Sequence, residues 1–192
     1  MAPKVKIIKD DIVKTALELV RTNGVDAINA RTIATALNCS TQPIFSNFAT
    51  MDELRNAIII AAYEMYLEYI RKETESGKYP QYKSFGMAYI RFAKEEKKLF
   101  KLLFMRDRTK EDTSPSIDFE KSVEIIMRSN GISKDKATLI HLEMWATVHG
   151  IAVMLATSFL SLDWELISDM LTDVYQGVRT KHLSEVDKNE CN

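Results

Sequence analysis

The chain has 192 residues, 46% of them hydrophobic and 28% charged, which is the composition of a soluble globular protein with one or two small domains. Its net charge of −1 argues against a protein that coats nucleic acid nonspecifically, so any affinity for DNA must come from local placement of charge. Two cysteines, Cys39 and Cys191, without a CxxC pair exclude a disulfide scaffold and favour a reducing cytoplasm. Polar residues interrupt the apolar stretches well short of ~18 residues, so we expect neither export nor a membrane span.

Apolar residues recur with a helical period in nearly every segment, and no segment alternates as a strand does, so the chain is predicted to be all-α. The first helix is expected from about Asp10 to Thr22, with Asn23-Gly24 ending it. Two short helices follow. Asn29 is expected to cap the first of them and Ser40 the second, in which Pro43 is tolerated in the first turn.

A long helix is predicted next, opened by the capping box Thr50-Met51-Asp52-Glu53 and extending to about Thr74. At about 1.5 Å per residue it would be roughly 37 Å long, enough to enter a second bundle. Gly77 to Pro80 ends it. Further helices are expected at about 82–94, 96–106, 117–129, 134–160 and 163–182, with an exposed loop over 107–116. We therefore predict a helix-turn-helix domain with a basic arm in residues 1–49 and a helical bundle in residues 50–192, with about nine helices in total.

The segment from Arg31 to Phe48, RTIATALNCSTQPIFSNF, predicts a short helix, a four-residue break and a second short helix. Two helices joined this tightly can place a helix end in the DNA major groove, although the same pattern fits a plain helical corner. The charges before Asp10 are all basic, which fits either a DNA-contacting arm or a solvated tail. They are Lys4, Lys6 and Lys9.

The order of these elements resembles the N-terminal domain of the TetR family of transcriptional regulators. Downstream, Trp145-Ala-Thr-Val-His149-Gly150 is similar to the WHG signature of one class of TetR C-terminal domain. The resemblance implies a homodimer that binds DNA through its N-terminal domains and a small molecule through its C-terminal domains, with no cofactor. The residues that carry the N-terminal match are Ala16, Leu17, Gly24, Ile33, Ala34, Leu37, Ser40, Ile44, Phe45, Phe48, Thr50 and Leu54.

By this resemblance the second short helix is the recognition helix. Gln42 and Asn47 can pair with adenine, Thr41 and Ser46 can bond a base or a phosphate, and Pro43 can contact a thymine methyl group. The predicted DNA-binding residues are Lys9, Arg31, Ser40, Thr41, Gln42, Pro43, Phe45, Ser46 and Asn47.

Two positions depart from the family pattern. The family often has Tyr where this chain has Phe45 and Lys where it has Met51, and both family residues usually contact phosphate. Arg31 and Lys9 are the alternative sources of phosphate contact. Fewer charged contacts predict modest affinity and a weak dependence of binding on salt.

His141, Trp145 and His149 are spaced four apart and are expected on one face of a helix. The two histidines are about 12 Å apart along the axis, too far to share a metal ion without further ligands, so no metal site is predicted. The resemblance favours a structural role for this group, with Gly150 allowing close approach of helices. A ligand pocket is expected among aromatic side chains, most of which are ordinary core. The candidates are Tyr66, Tyr89, Phe92, Phe100, Phe104, Trp145 and His149.

The last two helices are predicted to form the dimer interface, as a four-helix arrangement around a two-fold axis. The alternative is that their apolar stripes pack only within one subunit. The candidate interface residues are Met144, Val148, Ala152, Leu155, Phe159, Ile167, Met170, Leu171, Val174 and Val178.

Three functions are compatible with these features. The first is a ligand-responsive regulator, expected to be a cytoplasmic repressor released from a near-palindromic operator by a small molecule, although the response to the ligand can also be reversed. The second is a regulatory adaptor that acts through a protein partner, which Phe45 and Met51 favour and Gln42 and Asn47 oppose. The third, an α-helical enzyme, lacks any catalytic arrangement or phosphate loop in the sequence, so no enzymatic activity is expected.

Overall fold

The computed structural model describes residues 7–107, 109 and 117–184. These residues form nine α-helices and no strand, which confirms the all-α prediction. A short 3-10 helix, Val25–Ala27, follows the first α-helix. The α-helices are α1 (Lys9–Asn23), α2 (Ala30–Ala36), α3 (Gln42–Asn47), α4 (Met51–Glu75), α5 (Gln81–Glu95), α6 (Lys97–Phe104), α7 (Ile117–Asn130), α8 (Lys134–Ala156) and α9 (Trp164–Ser184).

Three predicted features lie wholly or mostly outside the described residues. The basic residues Lys4 and Lys6 precede them, and Cys191 follows them. Of the predicted loop over 107–116, only Asp107 and Thr109 are described.

Helices α1 to α3 share one apolar core. Ile12, Ala16 and Val20 of α1 are fully buried and lie four residues apart, so they form a single stripe along the helix. Ile33 of α2 and Ile44 of α3 are also fully buried, and α1 contacts both helices. This packing fixes α3 with one side inward and the other available to solvent.

Local hydrogen bonds confirm most of the predicted helix ends. Gly24 ends α1 with φ +90° and ψ 173°, a conformation essentially restricted to glycine. The Asn29 side chain accepts two backbone N–H bonds at the start of α2. At α4, Thr50 Oγ1 accepts the Glu53 N–H at 3.1 Å, while the Glu53 carboxylate accepts the Ala49 N–H at 2.8 Å rather than that of Thr50.

Helix α8 is shorter than predicted, since it ends at Ala156 rather than near residue 160. Ser158 adopts a left-handed conformation with φ +59°, and the Phe159 N–H donates to the Met154 carbonyl at 2.9 Å. This six-to-one bond closes the helix end without a glycine. Apolar periodicity alone extended the predicted helix too far because Phe159 and Leu160 continue the pattern beyond the closing turn.

The turn between α2 and α3 depends on Asn38, which has φ +52°. Its N–H donates to the Thr35 carbonyl at 3.1 Å, and the Cys39 N–H donates to the Ala34 carbonyl at 2.9 Å. These bonds close α2 with a Schellman motif, in which the left-handed residue is usually glycine and sometimes asparagine. Asn38 thus sets the direction in which α3 leaves α2.

We expect Asn38→Val to lower the free energy of unfolding by about 1–2 kcal/mol, because a β-branched side chain is strained at positive φ. Asn38→Gly should leave stability unchanged or raise it slightly, since glycine adopts this conformation freely. Urea unfolding of both variants measures the difference. Equal stabilities would show that the turn does not require a left-handed residue.

The chain divides into two compact units. Unit 1 contains the described part of Met1–Glu68 together with Glu95–Arg106, and unit 2 contains Tyr69–Lys94 together with the described part of Asp107–Asn192. The division falls inside α4 rather than at residue 50, because the first half of α4 buries Leu54, Ile58 and Ala62 within unit 1. The functional boundary between residues 49 and 50 stays a prediction.

An ion pair ties α6 to α1 within unit 1. The Arg21 guanidinium donates to both Glu96 carboxylate oxygens, at 2.9 and 2.5 Å, and to Glu18 at 2.8 Å. The bonds to Glu96 and Glu18 hold the pKa of Arg21 above its usual range. Lys98 also donates to the Thr22 carbonyl near the end of α1. The sequence analysis missed this link because 75 residues separate the two partners.

Unit 2 is organised around α5. Contacts from Tyr82 to His141 and from Tyr89 to His149 show that α5 runs parallel to α8. The Lys83 ammonium donates to hydroxyls of Ser168 and Thr172 on α9, at 2.8 and 2.7 Å. Further along, Lys94 and Arg91 of α5 stack on the Trp164 ring at the start of α9, so these two helices are antiparallel.

Gly86 is the residue that allows close helix approach in unit 2. A Cβ atom at this position would lie 3.2 Å from Val148 Cγ2 and 3.4 Å from Leu171 Cδ1. The corresponding prediction for Gly150 is wrong within the chain, because no atom lies within 4 Å of the place where its Cβ would be. Gly150 is exposed on α8.

Helix α8 is the one helix in the described part of the chain that is long and apolar enough to cross a bilayer by length and composition. It packs against both α7 and α9, and 44% of its most apolar window is buried. A core helix of a helical bundle has the same properties.

Candidate nucleic-acid interface

Helix α3 is anchored by its apolar side. Ile44 is fully buried, and Phe48, directly after the helix, is almost fully buried. The opposite side carries Gln42, Phe45 and Ser46, all exposed. The predicted recognition helix therefore presents a mixed polar and aromatic surface to solvent.

Two of the predicted base-reading residues are already bonded within the chain. Asn47 Nδ2 donates to the Pro43 carbonyl at 2.8 Å and to the Ile7 carbonyl at 3.5 Å. Ser46 Oγ donates to the Gln42 carbonyl at 2.9 Å. A bidentate contact from Asn47 to adenine would require it to give up these bonds, so the structure gives Asn47 a role in holding α3 in place.

Two other predicted contact residues keep their side chains available. Gln42, the first residue of α3, is exposed, and no hydrogen bond joins its amide to another residue in the described ranges. Arg31 near the start of α2 is also exposed, and its guanidinium forms no ion pair with a described residue. An amide and a guanidinium are the groups that read bases and bind phosphate.

Three further predicted residues lie around the start of α3. Ser40 is exposed, whereas Thr41 and Pro43 are half-buried. The prediction that Ser40 caps α3 is wrong, because Thr41 holds the N-cap position and its side chain accepts no capping bond. Pro43 lies in the first turn, as expected.

Lys9 is engaged at the entrance to α4. Its ammonium lies 3.0 Å from Glu53 Oε1 and 4.7 Å from the centre of the Phe48 ring. The Ala49 N–H and Lys9 together hold the pKa of the Glu53 carboxyl below its usual value. A phosphate contact by Lys9 would have to replace an exposed ion pair, which costs little. Arg31 is thus the more readily available of the two cations.

The aromatic residues predicted to line one pocket fall into two groups, one in each unit. In unit 1, the Phe104 ring lies 5.3 Å from both the Tyr66 and Phe100 rings. The other predicted residues, Tyr89, Phe92, Trp145 and His149, belong to unit 2. Phe92 and Phe100 are fully buried core residues. Which of these aromatic side chains line a pocket stays a prediction, because helical periodicity does not distinguish core aromatics from pocket aromatics.

Unit 2 contains two tyrosine–histidine pairs, one of which the sequence analysis did not identify. The first, Tyr82 and His141, has a hydroxyl to Nδ1 distance of 2.9 Å, and the Phe119 and Tyr175 rings lie nearby. Burial lowers the pKa of His141 to about 4 and raises that of Tyr82. His141 is therefore neutral at neutral pH, and its tautomer decides which partner donates in the bond with the Tyr82 hydroxyl.

The second pair lies about two turns further along the same helices. The Tyr89 hydroxyl and His149 Nδ1 are 2.8 Å apart, and the His149 ring stacks on Trp145 at 5.3 Å between ring centres. Burial lowers the pKa of His149 and raises that of Tyr89. Trp145 itself is 49% exposed, so it lies at the surface of unit 2. In the sequence, Tyr82 and Tyr89 are seven residues apart and His141 and His149 are eight apart. Each spacing is about two helical turns, and this match was the sequence pattern that could have indicated two pairs.

Most of the predicted dimer residues lie in the core of unit 2. Phe159 is 76% exposed, and Met170, Val174 and Val178 are half-buried. The remaining residues are buried within the subunit, as the alternative of packing within one subunit predicts. They are Met144, Val148, Ala152, Leu155, Ile167 and Leu171. The sequence could not distinguish the two sides of α8 because both are apolar.

A different side of the last two helices is apolar and largely exposed, with Val153 and Met170 half-buried. On α8 it is a stripe with helical spacing, and on α9 it includes Leu166, Met170 and Gly177. We call these residues the exposed α8–α9 face. Its α8 residues are Leu139, Leu142, Ala146, Gly150 and Val153.

Within the described residues, no group of three or more histidine, cysteine or acidic side chains could hold a metal ion. His141 and His149 lie about two turns apart on α8 and do not belong to such a group. Each ring bonds a tyrosine instead.

Comparison with known proteins identifies the C-terminal domain and a similar fold. Residues 82–175 match the model of the tetracyclin repressor-like, C-terminal domain, a range that includes Trp145, His149 and Gly150. A TetR-like transcriptional regulator from Rhodococcus sp. RHA1 has a TM-score of 0.64 at 16% sequence identity, over 91% of this chain and 94% of that chain. A TetR variant from Acinetobacter baumannii AYE, solved in complex with minocycline, has a TM-score of 0.48 at 14% identity, over 97% and 100%. No curated protein matches the chain. By this domain match, residues 82–175 form a tetracyclin repressor-like C-terminal domain, and the fold of the chain is similar to that of TetR-like regulators.

Proposed function

We propose that this protein is a homodimeric transcriptional repressor that binds a near-palindromic operator and releases it when a small molecule binds. The observation that carries the proposal is the solvent side of α3, where Gln42 and Phe45 are exposed, together with the exposed guanidinium of Arg31 near the start of α2. Helix-turn-helix proteins read the major groove with such a surface. Residues 1–49 form the proposed DNA-binding part, and no catalytic role is assigned to the chain.

The proposed DNA contact of each side chain follows from its exposure and from the bonds it already forms within the chain. Gln42 and Phe45 face bases, while Arg31 binds phosphate. Thr41 and Pro43, both half-buried, approach the DNA backbone at the start of α3. Ser40 and Lys9 are secondary phosphate contacts, the second only after its pair with Glu53 opens.

The exposed α8–α9 face is the proposed dimer interface. Exposed apolar surface of this extent on two neighbouring helices is costly in water and marks an interaction site. Ala146 and Gly150 have little or no side chain, so a second α8 can approach closely there. An isologous contact of this kind buries both copies of the face around a two-fold axis.

Unit 2 is the proposed effector domain. It contains the matched tetracyclin repressor-like range and two buried tyrosine–histidine pairs in otherwise apolar surroundings. Small-molecule sites typically combine apolar walls with a few such polar groups. An effector reverses DNA binding only if it binds one conformation of the dimer more tightly than the other.

The direct test is a gel-shift assay of the full chain against the DNA upstream of its own gene, at several salt concentrations. We expect a specific complex that an effector from the native cell extract weakens. A protein that binds neither this DNA nor any sequence selected from a random pool would overturn the proposal.

A regulatory adaptor that acts through a protein partner is the second candidate. Phe45 favours it, since a 53% exposed phenylalanine on α3 can serve a protein interface as well as a DNA base. The available amide of Gln42 favours DNA. Failure to select DNA together with retention of a protein partner dependent on Phe45 would support the adaptor.

Met51 gives a prediction about affinity. Met51 is the first residue of α4 and is half-buried. We expect Met51→Lys to tighten operator binding several-fold at low salt and to steepen the slope of log K against log salt by about 1 per added phosphate contact. Met51→Gln, of similar length and uncharged, is the matched control. If both variants bind with the same affinity and salt slope, Met51 does not lie near a phosphate.

A further inference from the structure

Lys83 is a half-buried cation on α5 whose bonding partners among the described residues are all neutral. Its ammonium donates to Ser168 Oγ at 2.8 Å and to Thr172 Oγ1 at 2.7 Å, and it lies 5.1 Å from the centre of the Tyr79 ring. The first turn of α5, which contains Lys83, has no acidic residue. Removing a cation from water without a counter-charge is unfavourable, so this ammonium is suited to bind an anion.

The two hydroxyls that accept from Lys83 differ in the use of their own hydrogen atoms. Thr172 Oγ1 donates to the Ser168 carbonyl at 3.0 Å. The Ser168 hydroxyl can also donate one hydrogen bond, and it has no acceptor in the part of the chain that the structure describes. A neutral donor therefore lies beside the ammonium. An oxyanion can accept from both groups, and its bond with the ammonium is stronger than one between neutral groups.

A second ammonium lies at the same aromatic ring. Lys78 Nζ is 5.1 Å from the centre of the Tyr79 ring, the same distance as Lys83 Nζ. Lys78 is exposed, and within residues 7–107, 109 and 117–184 neither lysine forms an ion pair. The exposed carboxylates of Asp169 and Asp173 on α9 thus leave both cations unneutralised. An anion beside the ring would offset the repulsion between the two ammonium groups.

We propose that Lys83, Ser168 and Lys78 form an anion site in unit 2 that takes the carboxylate or phosphate group of a small molecule. Lys83 and Ser168 donate hydrogen bonds to the anion, and Lys78 adds positive charge from the exposed side. Because these groups belong to α5, α9 and the turn before α5, a bound acid favours the packing in which they converge. The inference rests on the proposed effector domain for the role of the ligand, whereas its binding is measured without DNA.

Thermal unfolding of the full chain tests the site with inorganic phosphate and with benzoate, each against chloride at equal pH and ionic strength. The midpoint should rise with the concentration of anion and then level off, as expected for binding to the folded state. A rise with phosphate alone identifies a site for a free inorganic anion. A rise with benzoate identifies a site for the acid group of an organic molecule, and either result supports the proposal.

Two variants separate binding at this site from the general stabilisation that phosphate gives by exclusion from protein surfaces. Lys83→Met keeps an unbranched side chain without the charge, and the dissociation constant of the anion should rise by about 10-fold or more. Ser168→Ala keeps the ammonium and should raise the constant by about 2- to 10-fold. Each variant is compared with its own midpoint in chloride, because the lost bond between α5 and α9 lowers stability by itself.

Lys121→Met is the matched control. Lys121 is an exposed lysine of the same unit whose ammonium lies 5.5 Å from the centre of the Phe85 ring, and no described hydroxyl bonds it. This variant should bind the anion as the unchanged protein does. Equal dissociation constants for Lys83→Met and Lys121→Met, or no levelling rise in the unchanged protein, would overturn the inference. Anion binding by a protein that selects no DNA would support the site and contradict only the proposed function.

Discussion

Gly150→Glu should convert the proposed dimer into a monomer without unfolding the subunit. The position lies on α8 with open space where a side chain would begin, so the subunit accommodates glutamate, and helix propensity favours it over glycine. In the proposed dimer the same position meets its copy near the two-fold axis. Two carboxylates would then be desolvated close together, which is strongly unfavourable.

We expect the dissociation constant of the dimer to rise by 100-fold or more, which corresponds to about 2.7 kcal/mol. Sedimentation velocity over a concentration series measures this change, and circular dichroism checks that helix content is retained. Operator affinity should fall in parallel, because two half-sites are bound only by a dimer.

Ser129→Glu is the matched control, since it adds the same charge at an exposed position on α7, in the same unit but outside the exposed α8–α9 face. It should leave dimerisation unchanged. If Gly150→Glu dimerises as tightly as the control, the interface lies elsewhere on the subunit.

Helix ends could be predicted from the sequence because they depend on local chemistry. Gly24, Asn29 and Thr50 each act within a few residues of their own position, and the structure confirms all three ends. The end of α8 was missed since Ser158, unlike glycine, gives no indication in the sequence that it adopts a left-handed conformation.

The sequence could not predict which side of α8 is buried within the subunit, for a physical reason. Its two sides are both apolar, with Ile140 and Met144 inward and Leu139 and Leu142 outward. Hydrophobic periodicity identifies a core side only when the opposite side is polar. The packing of α5 through Gly86 decides which side of α8 is covered within the subunit.

The sequence places the candidate DNA site on α3, which stays a prediction, but it does not rank the residues of that site. Residue types alone made Gln42 and Asn47 equivalent, as both carry an amide. The difference arises from position, since the Asn47 side chain is at the right distance to bond the Pro43 carbonyl one turn earlier. Long-range pairs such as Arg21 with Glu96 were likewise outside the reach of local patterns.

The second large effect is a loss of folding stability at acid pH, and it depends on His141. His141 is buried beside Tyr82 and Phe119, and its pKa falls from the usual 6.5 to about 4 because burial disfavours the charged ring. Between these two values the unfolded chain binds a proton that the folded chain does not. The stabilisation associated with neutral His141 is therefore complete above pH 6.5 and is progressively lost as the pH falls to about 4.

We expect this histidine to contribute a loss of about 2 kcal/mol in the free energy of unfolding between pH 6.5 and pH 4. Carboxylates also titrate in this range, so the informative quantity is the difference between the unchanged protein and His141→Gln. The glutamine is neutral at every pH and can still accept the Tyr82 hydroxyl bond. Urea unfolding at half-unit steps of pH should show the variant losing less stability in acid. A difference that stays constant with pH would mean that His141 titrates normally and that its burial does not disfavour the charge.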